Sequence, residues 1–335
     1  MLTLDGVSKV YRIGTFGGRE LHAVRDVSFT VAAGQIVSLI GESGSGKSTI
    51  GKMILGLLRP TRGTIDFNGT DVGGLGRRDR KRYHRDVQGV FQDPFSAFNP
   101  VFKADRVLAM IRHEYFPDVA DEPWRAKIDG ALEAVGLTAD TVLGKYPHQL
   151  SGGQLQRLLV ARALLLDIDF LVADEITSML DASTRIDVLN MLADLTERDL
   201  SVLFITHDLN LGYYISDRTV ILYRGAIVEM GATTRIFDHP LHPYTRMLMA
   251  SVPRLDEMWA EREEVDPEVA LEAAHAGAGC VYYGRCPIGS RDLGCHERHP
   301  ALVAAESDHL VACYAVERDL PAVAAGRGPD PVRTQ

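Results

Sequence analysis

The sequence lacks an apolar run long enough to cross a membrane. The best candidate, residues 158–173, is interrupted by Arg162, Asp167 and Asp169, whereas a spanning helix needs about 20 mainly apolar residues. The first residues also lack a basic segment followed by an apolar core, which is the pattern of a secretory signal. We therefore expect a chain that stays on the cytoplasmic side of the membrane without spanning it.

Positive charge is also scarce. The 335 residues include 36 Lys and Arg against 45 Asp and Glu, for a formal net charge of −9. Non-specific binding to nucleic acid depends on an excess of positive charge, so this composition disfavours a nucleic-acid partner. The length and the 46% of hydrophobic residues allow one large globular domain and a smaller one.

A glycine-rich stretch at residues 41–49 fits the G-x-x-x-x-G-K-[ST] phosphate loop. The apolar run 36–40 precedes it and an apolar helical pattern follows from near Lys47, which is the strand, loop and helix order that this motif requires. Its glycines let the backbone approach a polyphosphate, and the helix start directs N–H groups at it. The motif predicts that Lys47 binds the β- and γ-phosphates and that Ser48 binds Mg²⁺. The other candidate contacts in the loop are Gly41, Ser43, Gly44, Gly46 and Thr49.

Two acidic residues, Asp174 and Glu175, follow a second apolar run, Phe170–Ala173. Carboxylates at the carboxyl end of a parallel strand lie where ligands of open α/β sheets bind. We expect Asp174 to hold Mg²⁺ and Glu175 to act as the base for an attacking water. A third apolar run, 202–206, ends at His207, which is either a γ-phosphate contact or a structural histidine.

Other patterns place strands first and helices later. The alternation over Val27–Val31 indicates a half-buried strand, and Tyr11, in the same region, either stacks on a base or packs in the fold. From 101 to about 166 the period becomes helical, which indicates a subdomain inserted between strands. Ser151 is a plausible N-cap within it, where Gly153 leaves the first N–H groups uncovered.

Five motifs occur in the order and spacing of one protein family, and the chain resembles the nucleotide-binding subunits of ABC transporters. The motifs are the phosphate loop, Gln92, Leu-Ser-Gly-Gly-Gln at 150–154, Val-Ala-Asp-Glu at 172–175 and His207. Residues 91–100 and 242–245 are further similar to the dipeptide/oligopeptide importer ATPases, as is a cysteine-bearing tail. The resemblance covers residues 2 to about 250.

The resemblance implies an α/β fold with a RecA-like phosphate-loop core, an antiparallel β-subdomain and a helical subdomain at about 101–166. We expect an ABC-type nucleotide-binding domain at 1–252 and a small cysteine-containing extension at 253–335. The extension should begin with a charged helix over 255–272.

The resemblance also implies a head-to-tail dimer of ATPase domains that encloses two nucleotides. In it, Tyr11 would stack on adenine, and Gln92 would sense Mg²⁺ and connect to the membrane subunits. Ser151 and Gly153 would contact the γ-phosphate bound to the partner subunit, and Asp181 would lie in the loop that crosses between the sites. The implied catalytic residues are Lys47, Glu175 and His207, and the implied Mg²⁺ ligands are Ser48, Gln92 and Asp174.

Two positions depart from the family pattern. The family usually has proline after the catalytic glutamate and alanine before the Leu-Asp pair, whereas this chain has Ile176 and Met179. Proline fixes φ near −65°, so its loss could loosen the turn that aims Glu175 and Asp181. Reduced turnover is therefore an open alternative, although we expect a working site because Glu175, Asp181 and His207 remain.

All four cysteines lie after residue 279, at positions 280, 286, 295 and 313. Clustered thiols in a cytosolic chain favour a metal site over structural disulfides. Zinc suits four thiolates, although no C-x-x-C pair is present. Some members of the importer family are thought to hold a [4Fe–4S] cluster in a similar tail, so we expect Cys280, Cys286, Cys295 and Cys313 to be cluster ligands. Reduced structural thiols are the remaining alternative. We expect the neighbouring His296, His299 and His309 at the surface.

We therefore expect an ATP-hydrolysing subunit that energises an importer, for dipeptides or oligopeptides, at the cytoplasmic face of the inner membrane. Its partners would be two transmembrane permease subunits, a second ATPase subunit and an extracytoplasmic solute-binding protein, with a paralogue favoured over self as the second ATPase. One alternative is a soluble ABC ATPase acting on ribosomes or DNA, which the single phosphate loop and the lack of sustained heptads disfavour. The other is a regulatory ATP-binding subunit with little turnover, which Ile176 keeps open.

Overall fold

The computed structural model describes residues 1–14, 19–251 and 279–320, so the helix predicted over 255–272 lies outside the described residues. The strands in these ranges are β1 (Leu2–Ile13), β2 (Arg19–Val31), β3 (Ile36–Ile40), β4 (Arg62–Phe67), β5 (Thr70–Asp71), β6 (Val87–Val90), β7 (Phe170–Asp174), β8 (Ser201–Thr206), β9 (Arg218–Tyr223), β10 (Ala226–Ala232), β11 (Val303–Glu306) and β12 (His309–Val311). The helices are α1 (Lys47–Ile54), α2 (Arg77–Asp86), α3 (Arg106–Tyr115), α4 (Asp121–Ala134), α5 (Ala139–Val142), α6 (Gly152–Leu164), α7 (Ala182–Thr196), α8 (Leu209–Ile215), α9 (Thr233–Asp238), α10 (Pro243–Ala250) and α11 (Tyr314–Asp319). None of these helices combines the length and the apolar character that crossing a membrane requires.

The first sheet is antiparallel, with strand order β2-β1-β4-β5. The predicted alternation in β2 is present, since Val27, Phe29 and Val31 are buried. These side chains pack with the strand-forming apolar residues of β1 and with α1 in one core cluster. The first sheet thus covers one side of the helix that follows the phosphate loop.

The second sheet has the order β11-β12-β10-β9-β3-β8-β7-β6. Strands β3, β7 and β8 are buried along their whole length, as their continuous apolar sequences predict. Strand β3 pairs in parallel with β8, and β8 pairs in parallel with β7. Their carboxyl ends therefore meet at one edge, which brings the phosphate loop, the acidic pair and His207 together. The α/β fold predicted from the sequence is confirmed.

Between β6 and β7 the chain forms the helical subdomain, comprising α3 to α6. Its apolar faces include Leu108, Trp124 and Leu132, which join a core cluster that continues into the second sheet. Helix α6 begins at a Ser151 cap, whose hydroxyl accepts from the Gln154 N–H at 3.1 Å. The cap predicted from the sequence therefore marks the start of α6.

Two strands of the C-terminal region extend the second sheet, because β12 pairs antiparallel with β10 and β11 pairs with β12. The fully buried Glu229 of β10 accepts a hydrogen bond from Nε2 of His309 at 2.7 Å. The prediction that His309 lies at the surface is wrong, because it partners this buried carboxylate. His299 is half-buried, and burial lowers its pKa to about 4, with the charge of Arg25 acting in the same direction. His296 is exposed, as expected.

Candidate nucleotide site

The phosphate loop fits closely between β2 and β9. A Cβ atom on Gly46 would lie 2.3 Å from the Ala23 carbonyl oxygen, and Gly46 has a φ of 105°. A Cβ atom on Gly41 would lie 2.1 Å from the Leu222 carbonyl oxygen. Only glycine is therefore compatible with these two positions.

Lys47 is buried at the base of this loop. Its Nζ donates to the carbonyl oxygens of Gly41 at 2.6 Å and Glu42 at 3.0 Å. Burial lowers the pKa of Lys47, while the carboxylates of Glu175, Asp174 and Glu42 oppose that shift. The amine is thus held at the start of α1 by groups that favour its charged form.

The Ser48 hydroxyl lies 3.2 Å from Oδ1 of Asp174 and donates to it. Burial raises the pKa of Asp174, while the hydrogen bond from Ser48 opposes this and the nearby Glu175 adds to it. A hydroxyl and a carboxylate are the hard oxygen ligands that Mg²⁺ prefers. The buried Ser45 hydroxyl has no hydrogen-bond partner among the described residues. A loop that binds phosphate oxygens would have such an unpaired donor. These features fit Mg²⁺ with a nucleotide.

Glu175 follows β7 in a left-handed conformation, with φ of 51°. Its N–H donates to the Ile205 carbonyl oxygen at 2.9 Å, and its Oε1 lies 3.2 Å from Nδ1 of His207. The Ile176 side chain is buried in the core cluster beside β7. Contacts to β8 on one side and core packing on the other therefore hold Glu175 without a following proline.

These groups face one open cleft with a volume of about 1320 Å³. Its lining includes Tyr11, residues 41–49, Gln92, Glu175 and His207, and Asp174 adjoins it through Ser48. The lining also includes residues that the sequence did not single out, among them His22, Arg25, Arg224 and Leu248. They come from β2, from the β9–β10 turn and from α10, and no local pattern marks them as neighbours of the loop.

Three predicted site residues, Ser151, Gly153 and Asp181, are not part of this lining. Asp181 caps α7 and accepts from the Thr184 N–H at 3.0 Å. Hydrogen bonds from Ser183 and Thr184 hold the pKa of Asp181 well below its usual range. A Cβ atom on Gly153 would lie 2.5 Å from Cγ2 of Thr184, so the starts of α6 and α7 are in close contact. Outside the cleft, Ser151 and Asp181 are therefore exposed at these two helix starts, whereas Gly153 is buried against Thr184.

The cysteines Cys280, Cys286, Cys295 and Cys313 line one small cavity of about 20 Å³. This volume is close to that of one water-sized probe. In the described part of the chain, no group of three or more His, Cys, Asp and Glu side chains is arranged to hold a metal ion. Burial raises the pKa of Cys280 to about 11 and also raises that of Cys286. The structure therefore does not support the expectation that these four cysteines are cluster ligands.

Comparisons with known proteins identify the family. The ABC transporter family model matches residues 24–178, and the model of the oligopeptide/dipeptide transporter C-terminal region matches residues 228–292. The chain is 39% identical over 316 residues to a Brucella ovis protein named as a peptide import ATP-binding protein, covering 93% of this chain and 97% of that protein. It is 37% identical over 325 residues to the oligopeptide transport ATP-binding protein AppF of Bacillus subtilis, covering 94% and 97%.

Solved structures agree in fold. The dimeric, post-hydrolysis structure of the ATP-binding cassette MJ0796 bound to ADP and Pi matches with a TM-score of 0.63 and 28% identity, covering 70% of this chain and 99% of that one. The cbiO1 protein of Clostridium perfringens matches in fold alone, with a TM-score of 0.62 and 21% identity, covering 76% and 96%. The phosphate loop, the acidic pair and these relatives together show that the chain belongs to the ABC-type ATPases, in the family of peptide and oligopeptide import ATP-binding proteins.

Proposed function

We propose that this ATPase energises the import of dipeptides or oligopeptides through a complex in the cytoplasmic membrane, bound to its cytoplasmic face. The observation that carries the proposal is the convergence of Tyr11, Lys47, Gln92, Glu175 and His207 on one cleft. Relatives named for peptide transport, which align over more than nine-tenths of the chain, support the choice of solute.

In this proposal each of the following residues has its own role in ATP hydrolysis. Lys47 binds the β- and γ-phosphates, and the loop N–H groups surround them. Ser48, Asp174 and Gln92 hold Mg²⁺, which neutralises charge on the phosphates when bound. Glu175 accepts the proton of the attacking water, and His207, 3.2 Å away, contacts the γ-phosphate.

A second ATPase subunit completes each site in the proposed complex. Ser151 is exposed at the start of α6, and Gly153, two residues later, is buried against Thr184 at the start of α7. Because these residues do not line the cleft of their own chain, we assign them to the nucleotide held by the other subunit, with Asp181 in the connecting loop. We favour a paralogue as that subunit.

The proposed boundary between the ATP-binding domain, 1–252, and the extension, 253–335, falls just after α10. Strand β12 of the extension adds to β10 of the domain. The extension would therefore act as an attached part of the ATPase and not as a freely moving unit.

A groove beside the helical subdomain is suited to the permease subunits. It has a volume of about 960 Å³ and is lined by Phe98, Phe102 and Met110, of which Met110 is 60% exposed. The segment from Gln92 to Asn99 joins the nucleotide cleft to this groove. Exposed apolar patches of this kind mark interaction sites, so a cytoplasmic segment of a permease subunit is the proposed occupant.

The test is a native pull-down of the chain from membranes, with every recovered subunit identified. We expect two multispanning proteins and a second ATPase. Met110→Glu should reduce their recovery, because it places a charge in the apolar groove. The matched control is Leu57→Glu, at an exposed leucine outside the groove, which should leave recovery unchanged.

Two results would contradict parts of this proposal. Recovery of ribosomes or other soluble partners without membrane subunits would refute the proposed role in transport, but not the assignment of the chain as an ATPase. If cross-linking in the native complex recovers only pairs of this chain with itself, the second ATPase subunit is another copy of this chain and not a paralogue.

A further inference from the structure

The C-terminal region reaches the phosphate loop through an ion pair. Nη1 of Arg285 lies 3.2 Å from both carboxylate oxygens of Glu42. Glu42 is the second residue of the phosphate loop and lines the nucleotide cleft, whereas Arg285 lies outside the lining. A residue of the extension therefore contacts a residue that lines the nucleotide cleft, without lining the cleft itself.

Glu42 is held at three points. Besides the ion pair, its N–H donates to the Tyr244 hydroxyl at 3.1 Å, and its carbonyl oxygen accepts from Nζ of Lys47 at 3.0 Å. A change in the position of Glu42 would thus move a contact of Lys47, the proposed ligand of the terminal phosphates. The ion pair is therefore linked, through the Glu42 backbone, to the amine proposed to bind the terminal phosphates.

Arg285 is also rigidly placed. Its N–H donates to the Tyr282 carbonyl oxygen at 3.0 Å. The ring of Tyr282 is 3% exposed, and its centroid lies 5.2 Å from that of Tyr223 and 5.4 Å from that of Tyr244. This aromatic cluster anchors the turn that carries Arg285, so the backbone from which its side chain reaches Glu42 is held in place.

The charge of Glu42 gives the ion pair a role in binding. A carboxylate on the wall of the cleft repels the polyphosphate of a nucleotide, and a nearby guanidinium cancels that repulsion. We propose that Arg285 is a positioning residue of the nucleotide site, which neutralises Glu42 and fixes the first turn of the phosphate loop. The inference rests on the nucleotide-binding role of the cleft and does not depend on which solute is transported.

The test is ATP affinity, measured by calorimetry on the full chain in a Glu175→Gln background that prevents hydrolysis. Arg285→Gln should weaken ATP binding about five- to tenfold, the effect of one unneutralised, partly exposed charge. Arg285→Lys keeps the charge but not the planar contact, so its ATP affinity should lie between those of the parent and of Arg285→Gln. Arg291→Gln removes an exposed arginine of the same region and should leave the affinity unchanged. The loss at Arg285 should shrink as ionic strength rises.

The decisive comparison places Arg285→Gln in a chain that also carries Glu42→Gln. With no carboxylate left to neutralise, the loss should fall to less than about twofold, since the two positions are coupled. An equal loss with and without Glu42 would mean that Arg285 acts only through folding of the extension, and unchanged affinity in Arg285→Gln would equally refute the proposal. A parent chain that binds ATP no better than its Lys47→Ala variant would refute the nucleotide site itself.

Discussion

Acidification should destabilise the folded chain through His242, which caps α10. Its Nδ1 accepts from the Tyr244 N–H at 3.0 Å, so that nitrogen must be unprotonated. The side chain is 1% exposed. Burial, with a smaller contribution from the charge of His299, lowers the pKa of His242 from 6.5 to about 3.

The sign and size follow from proton binding. Well above pH 6.5, His242 is neutral in both the folded and the unfolded chain, so its titration does not change the free energy of unfolding. Between pH 6.5 and about 3, the unfolded chain takes up a proton that the folded chain does not, so the free energy of unfolding falls as pH falls. At pH 5 the loss is about 2 kcal/mol, because each pH unit below 6.5 contributes about 1.4 kcal/mol.

The assay is denaturant unfolding at pH 7.5 and pH 5, comparing the parent chain with His242→Asn. Asparagine keeps a capping oxygen but does not titrate, so the variant should lose about 2 kcal/mol less than the parent on acidification. The exposed His239→Asn is the control and should behave as the parent. Equal pH dependence of the His242→Asn variant and the parent would refute this reasoning.

Three further changes test the fold and the loop. Gly46→Ala should abolish the stabilisation of the chain by ATP in a thermal-shift assay, because its Cβ would lie 2.3 Å from the Ala23 carbonyl oxygen; retained stabilisation would contradict the loop geometry. His309→Ala should lower the free energy of unfolding by about 3 kcal/mol, since the buried Glu229 loses a buried hydrogen-bond partner; the exposed His296→Ala should cause no such loss, and a similar loss in that variant would contradict the reasoning. Tyr83→Phe removes the hydrogen bond from its hydroxyl to the Ile54 carbonyl oxygen and should cost about 1 kcal/mol by the same assay, with no change counting against that bond.

The parts of the site that the sequence predicts are those that local patterns determine. The apolar run 36–40 followed by glycines specifies a buried strand and a phosphate loop, and the run before Asp174 specifies a second buried strand, which the structure places next to β8. Parallel pairing then brings their carboxyl ends together, which the fold class alone requires. These predictions needed no information on distant contacts.

The missed features all depend on contacts between distant segments. Alternation identifies a strand but not its neighbour, so the pairing of β12 with β10, and with it the burial of His309 against Glu229, was not predicted. The ion pair between Arg285 and Glu42 joins residues 243 positions apart. Cysteine spacing likewise did not reveal that the four cysteines line one small cavity together with His242 of the α10 cap.

The absence of proline after Glu175 shows how tertiary contacts replace a local constraint. The sequence raised the alternative of a loosened turn, since Ile176 leaves φ free. In the structure, the Glu175 N–H is bonded to Ile205 of β8, and the Ile176 side chain is buried in the core. This packing supports our expectation of a working hydrolytic site.

The most direct test of the account is ATP hydrolysis and peptide uptake by the native complex, reconstituted in vesicles, with the parent chain or with Glu175→Gln. We predict that Glu175→Gln abolishes steady-state hydrolysis and uptake while ATP binding persists, and that the exposed Glu197→Gln changes neither. Hydrolysis and uptake at the parent level in Glu175→Gln would contradict the assignment of this glutamate as the base that drives transport.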